Sequence, residues 1–167
     1  MGTDVLTLIT GSARSGKTRH ALNAALETPR IYFATAQLLD EEMRERAARH
    51  RAERADGWQT IEEPFQVAQR LRELSGTVVL DCLTLWLSNW MLHDASQLDS
   101  QIDELCVTLR NVPYHVIAIT NEVGWSIVPE NALARRFRDW SGVMNQRVAA
   151  AADSVVLMVC GIPTKVK

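Results

Sequence analysis

Residues 5–18, Val5-Leu6-Thr7-Leu8-Ile9-Thr10-Gly11-Ser12-Ala13-Arg14-Ser15-Gly16-Lys17-Thr18, decide how the rest of the chain is read. Val5 to Thr10 is a short apolar run rich in β-branched residues, and it reads as a strand. Gly11 to Thr18 then fits the spacing G-x-x-x-x-G-K-[ST], and a helix is expected from Lys17 to about Leu26. The physics explains the spacing. Gly11 and Gly16 allow backbone angles closed to other residues. The N–H groups of Ser12, Ala13, Arg14 and Ser15 can then turn inward as a nest for phosphate oxygens. The helix opening at Lys17 adds its positive end. Lys17 is a compact charge for the β- and γ-phosphates, and the Thr18 hydroxyl is a ligand for Mg²⁺. The competing reading is a glycine-rich strand–helix turn with no ligand.

Outward from this loop, strand and helix alternate. Strands are expected at Ile31–Thr35, Val78–Asp81, Val116–Thr120 and Val155–Cys160. Helices are expected at about Asp40–Ala55, Val67–Leu74, Leu83–Leu92, Asp99–Arg110 and Asn131–Ala151. The strands are near-continuous apolar runs, which suits strands covered on both faces of a parallel sheet. The fold expected is therefore a three-layer α/β/α domain of the P-loop NTPase type. Gly161 and Pro163 favour a reversal, so the tail is expected to add a short antiparallel edge strand.

The length of 167 residues suits one domain, here residues 1–167. Apolar residues make up 47% and charged residues 23%, the balance of a globular chain that can build its own core. Lys and Arg number 18 against 20 Asp and Glu, so no global field holds a nucleic-acid backbone or an anionic membrane. No apolar run approaches a membrane span, and the start MGTDVLTLITG has no basic leader region. Cys82, Cys106 and Cys160 are odd in number and lack CxxC spacing, which points to reduced thiols rather than disulfides or zinc. A cytoplasmic protein is expected.

Two further features bear on chemistry. Asp81 ends the Val78–Asp81 strand, where an acid would either support the nucleotide's Mg²⁺ or cap the next helix. With a phosphate loop present, magnesium support is the better reading. Glu41 to Asp56 contains five acids and five arginines, and Glu42/Arg46 and Glu45/Arg49 are i,i+4 pairs. By spacing alone this is a solvated helix. His50, four residues from Arg46 and from Arg54, is also suited to nucleophilic attack on phosphorus, because nearby cations disfavour imidazolium. His93 and His115 are expected to be structural, and His20, on the helix after the phosphate loop, is either structural or close to the site.

Four stretches resemble one family. They are TGSARSGKTRHA at 10–21, IYFATAQLLDEEMRERAARHRAER at 31–54, VVLDCLTLWLSN at 78–89, and the run from TNEVGWSIVPEN at 120–131 to the end of the chain. This is similar to the bifunctional adenosylcobinamide kinase / adenosylcobinamide-phosphate guanylyltransferases of cobalamin biosynthesis. The resemblance implies two reactions. ATP or GTP phosphorylates the aminopropanol hydroxyl of adenosylcobinamide. GMP from GTP then passes through a guanylyl-histidine to adenosylcobinamide phosphate, giving adenosylcobinamide-GDP and pyrophosphate. It implies His50 as the nucleophile beside Lys17. It also implies nucleotide contacts at Ala34, Thr35, Ala36, Arg51, Ala52, Glu53, Arg54, Glu62 and Asp81 or its neighbours. Glu62 suits the two donors of the guanine edge but could equally be an ordinary rim acid.

The resemblance further implies a homotrimer. Trp86, Trp90, Trp125 and Trp140 are candidates either for a subunit contact or for the core. Ser12 and Thr18 stand where the family often has glycine and serine. The Asn121-Glu122-Val123-Gly124 stretch is expected near the site, with no step assigned. Two rivals remain, a P-loop small-molecule kinase without guanylyl transfer and a regulatory GTP-binding protein. The second lacks an N/T-K-x-D motif, since Glu122 stands where lysine is needed, and lacks D-x-x-G after Asp81.

Overall fold

The computed structural model describes residues 5–37, 41–52, 54 and 56–167, without the side chains at positions 42, 43, 46, 49 and 50. The strands are β1 Leu6–Gly11, β2 Arg30–Ala34, β3 Trp58–Glu62, β4 Thr77–Asp81, β5 Val116–Ile119, β6 Ser154–Val159 and β7 Ile162–Lys165. They form one sheet in the order β3-β2-β4-β5-β1-β6-β7. All neighbours are parallel except the last pair, where β7 runs antiparallel to β6. The helices are α1 Lys17–Ala24, α2 Glu41–Ala52, α3 Val67–Leu71, α4 Leu83–Asp94, α5 Leu98–Asn111 and α6 Ala132–Ala151.

Side-chain alternation along the strands builds two cores. On one face Leu6, Leu8, Phe33, Leu80 and Ala118 pack with α4, α5 and α6 through Trp86, Leu105 and Met144. On the other, Ile9, Tyr32, Val79, Ile117 and Ile119 pack with Ala21 of α1. The fold is the expected three-layer α/β/α arrangement. Asn131 caps α6, its Oδ1 accepting from Ala134 N at 3.1 Å.

Two expectations need correction, and one stated alternative is decided. β3 was not anticipated. Its sequence WQTIE is mostly exposed because it forms the sheet edge, so it lacks the apolar run that marks inner strands. The helix expected over Val67–Leu74 ends at Leu71, and single turns continue to residue 74. Trp86 and Trp90 belong to the core at 1% and 4% exposure, and both indole N–H groups donate to Phe65 O (2.9 and 3.1 Å). They are not available to a subunit contact. Trp140 is partly buried against the same core, whereas Trp125 is 72% exposed. His115 bonds to Thr7 Oγ1 at 3.0 Å, and His93 packs against Phe65 and Trp90.

Leu80 is fully buried in the central strand. Leu80→Ala is expected to lower stability by about 2–5 kcal/mol, whereas Val159→Ala, at the half-exposed end of β6, changes it by less than about 0.5 kcal/mol. Urea unfolding of both variants checks the contrast.

Candidate active site

The parallel register sets the carboxyl ends of the strands side by side. Ala34 of β2 pairs with Glu62 of β3 and with Asp81 of β4, and Asp81 pairs with Ile119 of β5. The next strand, β1, ends in the phosphate loop. Gly11 has φ 143°, and a Cβ there would lie 2.5 Å from Met158 O. Gly16 has φ 94° and is the N-cap of α1. Both conformations are ones that glycine adopts without steric cost.

The loop surrounds Lys17. Its Nζ donates to Gly11 O (3.1 Å) and to Ser12 O, and the residue is only 7% exposed. Thr18 Oγ1 donates to Asp81 Oδ2 at 2.9 Å, and Tyr32 OH donates to the same oxygen at 2.8 Å. Asp81 is thus aimed at the start of α1, and α4 begins after Cys82 with no side-chain cap. Helix capping by Asp81 is not what the structure shows.

Burial, reinforced by Asp81, pushes the Tyr32 hydroxyl far above its ordinary range, so Tyr32 stays protonated and remains a donor. The Arg54 guanidinium lies 4.0 Å from the Tyr32 ring centroid, and burial lowers its pKa. Arg54 Nη2 also donates to Thr60 Oγ1 at 3.0 Å, and Arg51 Nη2 pairs with Glu62 Oε1 at 2.8 Å. Behind Asp81, the fully buried Thr35 hydroxyl donates to Cys82 O (2.7 Å) and accepts from Cys82 N (2.9 Å).

These groups border a cavity of about 630 Å³. Ala13, Arg14, Ser15, Gly16, Lys17, Thr18, Ala34, Ala36, Arg51, Arg54, Glu62 and Asp81 line it. Gly11 and Ser12 shape it from behind through their carbonyls to Lys17. Two of the expected contacts stand apart from the lining. Thr35 is behind the wall at 0% exposure, where its β-strand neighbours turn it toward Cys82, and Ala52 is exposed on α2. Glu53 lies outside the described residues. Position 50 belongs to α2, three residues after the cavity-lining Ala47, and its side chain lies outside the description. The expected pairs Glu42/Arg46 and Glu45/Arg49 also involve side chains outside it.

Tyr32, Thr60, Leu85, Ile119 and Asn121 line the cavity as well. Of these, only Asn121 was expected near the site from the sequence. Tyr32 and Ile119 look like ordinary strand residues, and only the register brings them to the mouth. Asn121, directly after β5, did carry a signal, the position of NEVG at a strand's carboxyl end.

A family profile described as cobinamide kinase / cobinamide phosphate guanyltransferase matches residues 7–166. The chain belongs to this family. The bifunctional adenosylcobalamin biosynthesis protein CobP of Pseudomonas aeruginosa is 42% identical over 166 residues, covering 96% of both chains. The corresponding CobU proteins of Salmonella typhimurium and Escherichia coli are each 38% identical, across 98% of this chain and 100% of theirs. Among solved structures, an ATPase of the type III secretion system of pathogenic bacteria superposes with a TM-score of 0.54 at 9% identity. That match covers 96% of this chain and 56% of the ATPase. A protein from Pyrococcus horikoshii OT3 gives 0.54 at 10% identity over 97% of this chain and 85% of its own. Likenesses at such identity concern the fold alone. The cobinamide kinase / guanyltransferase family thus meets the expectation raised by the four quoted stretches.

Two outcomes follow from the wall of this site. Thr35→Val leaves the Cys82 N–H buried without a partner, so stability should fall by roughly 1–3 kcal/mol in denaturant unfolding. Burial first, and the Asp81 charge second, push the Cys82 thiol from 9.0 up to about 12. The folded chain therefore keeps a proton that the unfolded chain loses above pH 9.0, and stability falls as pH rises through that window toward 12. In unfolding measured from neutral pH to about pH 11, Cys82→Ser should show the shallower decline.

Proposed function

We propose that the protein performs both reactions its family is described by. It phosphorylates adenosylcobinamide with ATP or GTP, and it then transfers GMP from GTP to adenosylcobinamide phosphate, giving adenosylcobinamide-GDP and pyrophosphate. The observation that carries this reading is the shared cavity. The phosphate loop forms one wall, while Ala47 and Arg51 of α2, with Arg54 just beyond, form another. A triphosphate held by the loop would present its γ-phosphorus to one acceptor and its α-phosphorus to a group on α2.

In the kinase reaction the loop N–H groups and Lys17 hold the β- and γ-phosphates while the alcohol attacks in line. Positioning and charge neutralisation supply most of the rate. In the guanylyl transfer the His50 imidazole attacks the α-phosphorus, a P–N bond forms, and pyrophosphate leaves with the electrons of the broken P–O bond. An oxygen of the acceptor phosphate then attacks the same phosphorus, the P–N bond breaks, and His50 is restored. Splitting one displacement into two is covalent catalysis. Arg51 and Arg54 would offset charge near the α-phosphate. Glu62 would accept from the guanine edge, exchanging its pairing with Arg51 for the base.

Mg²⁺ fits the oxygens of Thr18 and Asp81, which lie 2.9 Å apart at the mouth of the loop. Mg²⁺ is commonly held by one or two carboxylates together with phosphates and water, and such a donor set needs no cluster of protein acids. Thr18 and Asp81 would hold the ion, which supplies neutralisation of the phosphate charge when bound. The family resemblance also supports a homotrimer working in the cytoplasm. Its thiols Cys82, Cys106 and Cys160 are free, and among the described residues no helix is long and apolar enough to cross a membrane.

Incubation with α-labelled GTP, then denaturation, should leave acid-labile, alkali-stable label on the wild-type protein and none on His50→Ala. His50→Ala should retain most of its kinase rate. Lys17→Ala should lose roughly 100-fold or more in both reactions, because one charged donor aimed at the transferring group is removed. Retention of guanylyl transfer by His50→Ala overturns the covalent route. Wild-type protein that takes no label yet phosphorylates adenosylcobinamide is the kinase-only enzyme.

A further inference from the structure

A directed chain of hydrogen bonds ends at Asn121. The Asn145 Nδ2 group donates to the backbone oxygen of Asn121 (3.2 Å) and to Glu122 Oε1 (3.2 Å). A backbone carbonyl only accepts, so the nitrogen of Asn145 is on that side and its Oδ1 faces Thr120. Thr120 Oγ1 donates to this Oδ1 at 2.7 Å. The one hydroxyl proton of Thr120 is thereby used, and toward Thr84 Oγ1, 3.3 Å away, Thr120 can only accept. The Thr84 proton points to Thr120 or to the Cys82 sulfur, and in both cases away from Asn121. Thr84 Oγ1 has only lone pairs left on the other side. They accept from Asn121 N (2.8 Å) and Asn121 Nδ2 (3.2 Å).

The direction of the chain fixes the Asn121 amide. Its nitrogen is tied back to Thr84, and among the described residues no group donates to its Oδ1. Asn121 lines the same cavity as Lys17, Thr18 and Asp81. It follows β5, which lies between β1, bearing the loop, and β4, bearing Asp81. The next residue is fastened to the loop itself, since Glu122 N donates to Gly11 O at 3.2 Å. A carbonyl oxygen held at this place repels phosphate oxygens, which only accept, and seeks a ligand that donates.

We propose that Asn121 Oδ1 accepts the hydrogen bond of the alcohol acceptor in the kinase reaction and aims that oxygen at the γ-phosphorus. The inference rests on the functional reading above. Of the two acceptors in that reading, only the alcohol offers an O–H at the reacting atom. In the step, the alcohol oxygen forms the new O–P bond. The bond from γ-phosphorus to the β,γ-bridging oxygen breaks, and its electron pair leaves on the nucleoside diphosphate. The hydroxyl proton passes to a non-bridging oxygen of the transferred phosphoryl group. Asn121 takes no proton. Thr84, Thr120 and Asn145 are positioning residues that keep its oxygen turned to the cavity.

The test compares two readouts on each variant, phosphorylation of adenosylcobinamide by ATP and labelling of the protein by α-labelled GTP. Asn121→Ala should lower the kinase kcat about 10- to 100-fold, with the KM for ATP shifted by less than about threefold. Its labelling should fall by less than about threefold, which also reports a folded loop. Thr84→Val frees the amide to turn and should lower the kinase kcat by about 3- to 10-fold, while Thr84→Ser, which keeps the hydroxyl, recovers most of it. A kinase kcat within about twofold of wild type in Asn121→Ala overturns the inference, as does an equal loss in both readouts, the sign of a role in holding nucleotide or metal. Wild-type protein that phosphorylates no adenosylcobinamide overturns the functional reading, and this inference falls with it.

Discussion

Gly11 has no room for a side chain. Its backbone passes so close to Met158 O on the neighbouring strand that a Cβ would overlap it, at a φ that other residues rarely adopt. This close passage lets β1 leave the sheet and turn at once into the loop. Gly161 N donates to Ser15 O at 3.1 Å, so the turn between β6 and β7 braces the loop from outside. Glu122 N braces it from the β5 side through Gly11 O. The position of Lys17, and through Thr18 that of Asp81, depends on this path.

The electrostatic layout follows from the same geometry. A buried ammonium needs acceptors, and Lys17 finds them in loop carbonyls. A carboxylate at a strand end needs donors, and Asp81 finds the hydroxyls of Thr18 and Tyr32. These neutral neighbours fix the direction of both side chains at the mouth of the site. Arg54 stacks on Tyr32, so the arginine side of the cavity is coupled to the carboxylate side through one aromatic ring.

Much of the fold was legible because inner parallel strands advertise themselves. LTLIT, VVLD and VIAI are apolar on both faces, and the helices between them carry apolar stripes. β3 escaped because an edge strand has one open side, and WQTIE looks like a polar connection until β2 pairs with it. Part of the cavity was legible for a different reason. The loop's function depends on residue type at fixed spacing, so Gly11, Gly16, Lys17 and Thr18 could be named from sequence. Tyr32 and Asn121 could not be given roles in that way. Nothing about a tyrosine in a strand says that its hydroxyl meets an aspartate 49 residues later. Nor does an asparagine reveal which amide atom faces a ligand.

Sequence alone determined the alternating order of strands and helices, the phosphate loop, the acid at the end of β4, and the family. These depend on local composition and on spacing along the chain, which are properties of a string. Tertiary structure alone decided that Trp86 and Trp90 are core, that β3 closes the sheet beside β2, and that Asp81 faces Thr18 rather than capping α4. It also decided the orientation of the Asn121 amide. Each of these depends on which distant group supplies the partner for a buried or directed bond, and strand register and packing, not chain order, choose that partner.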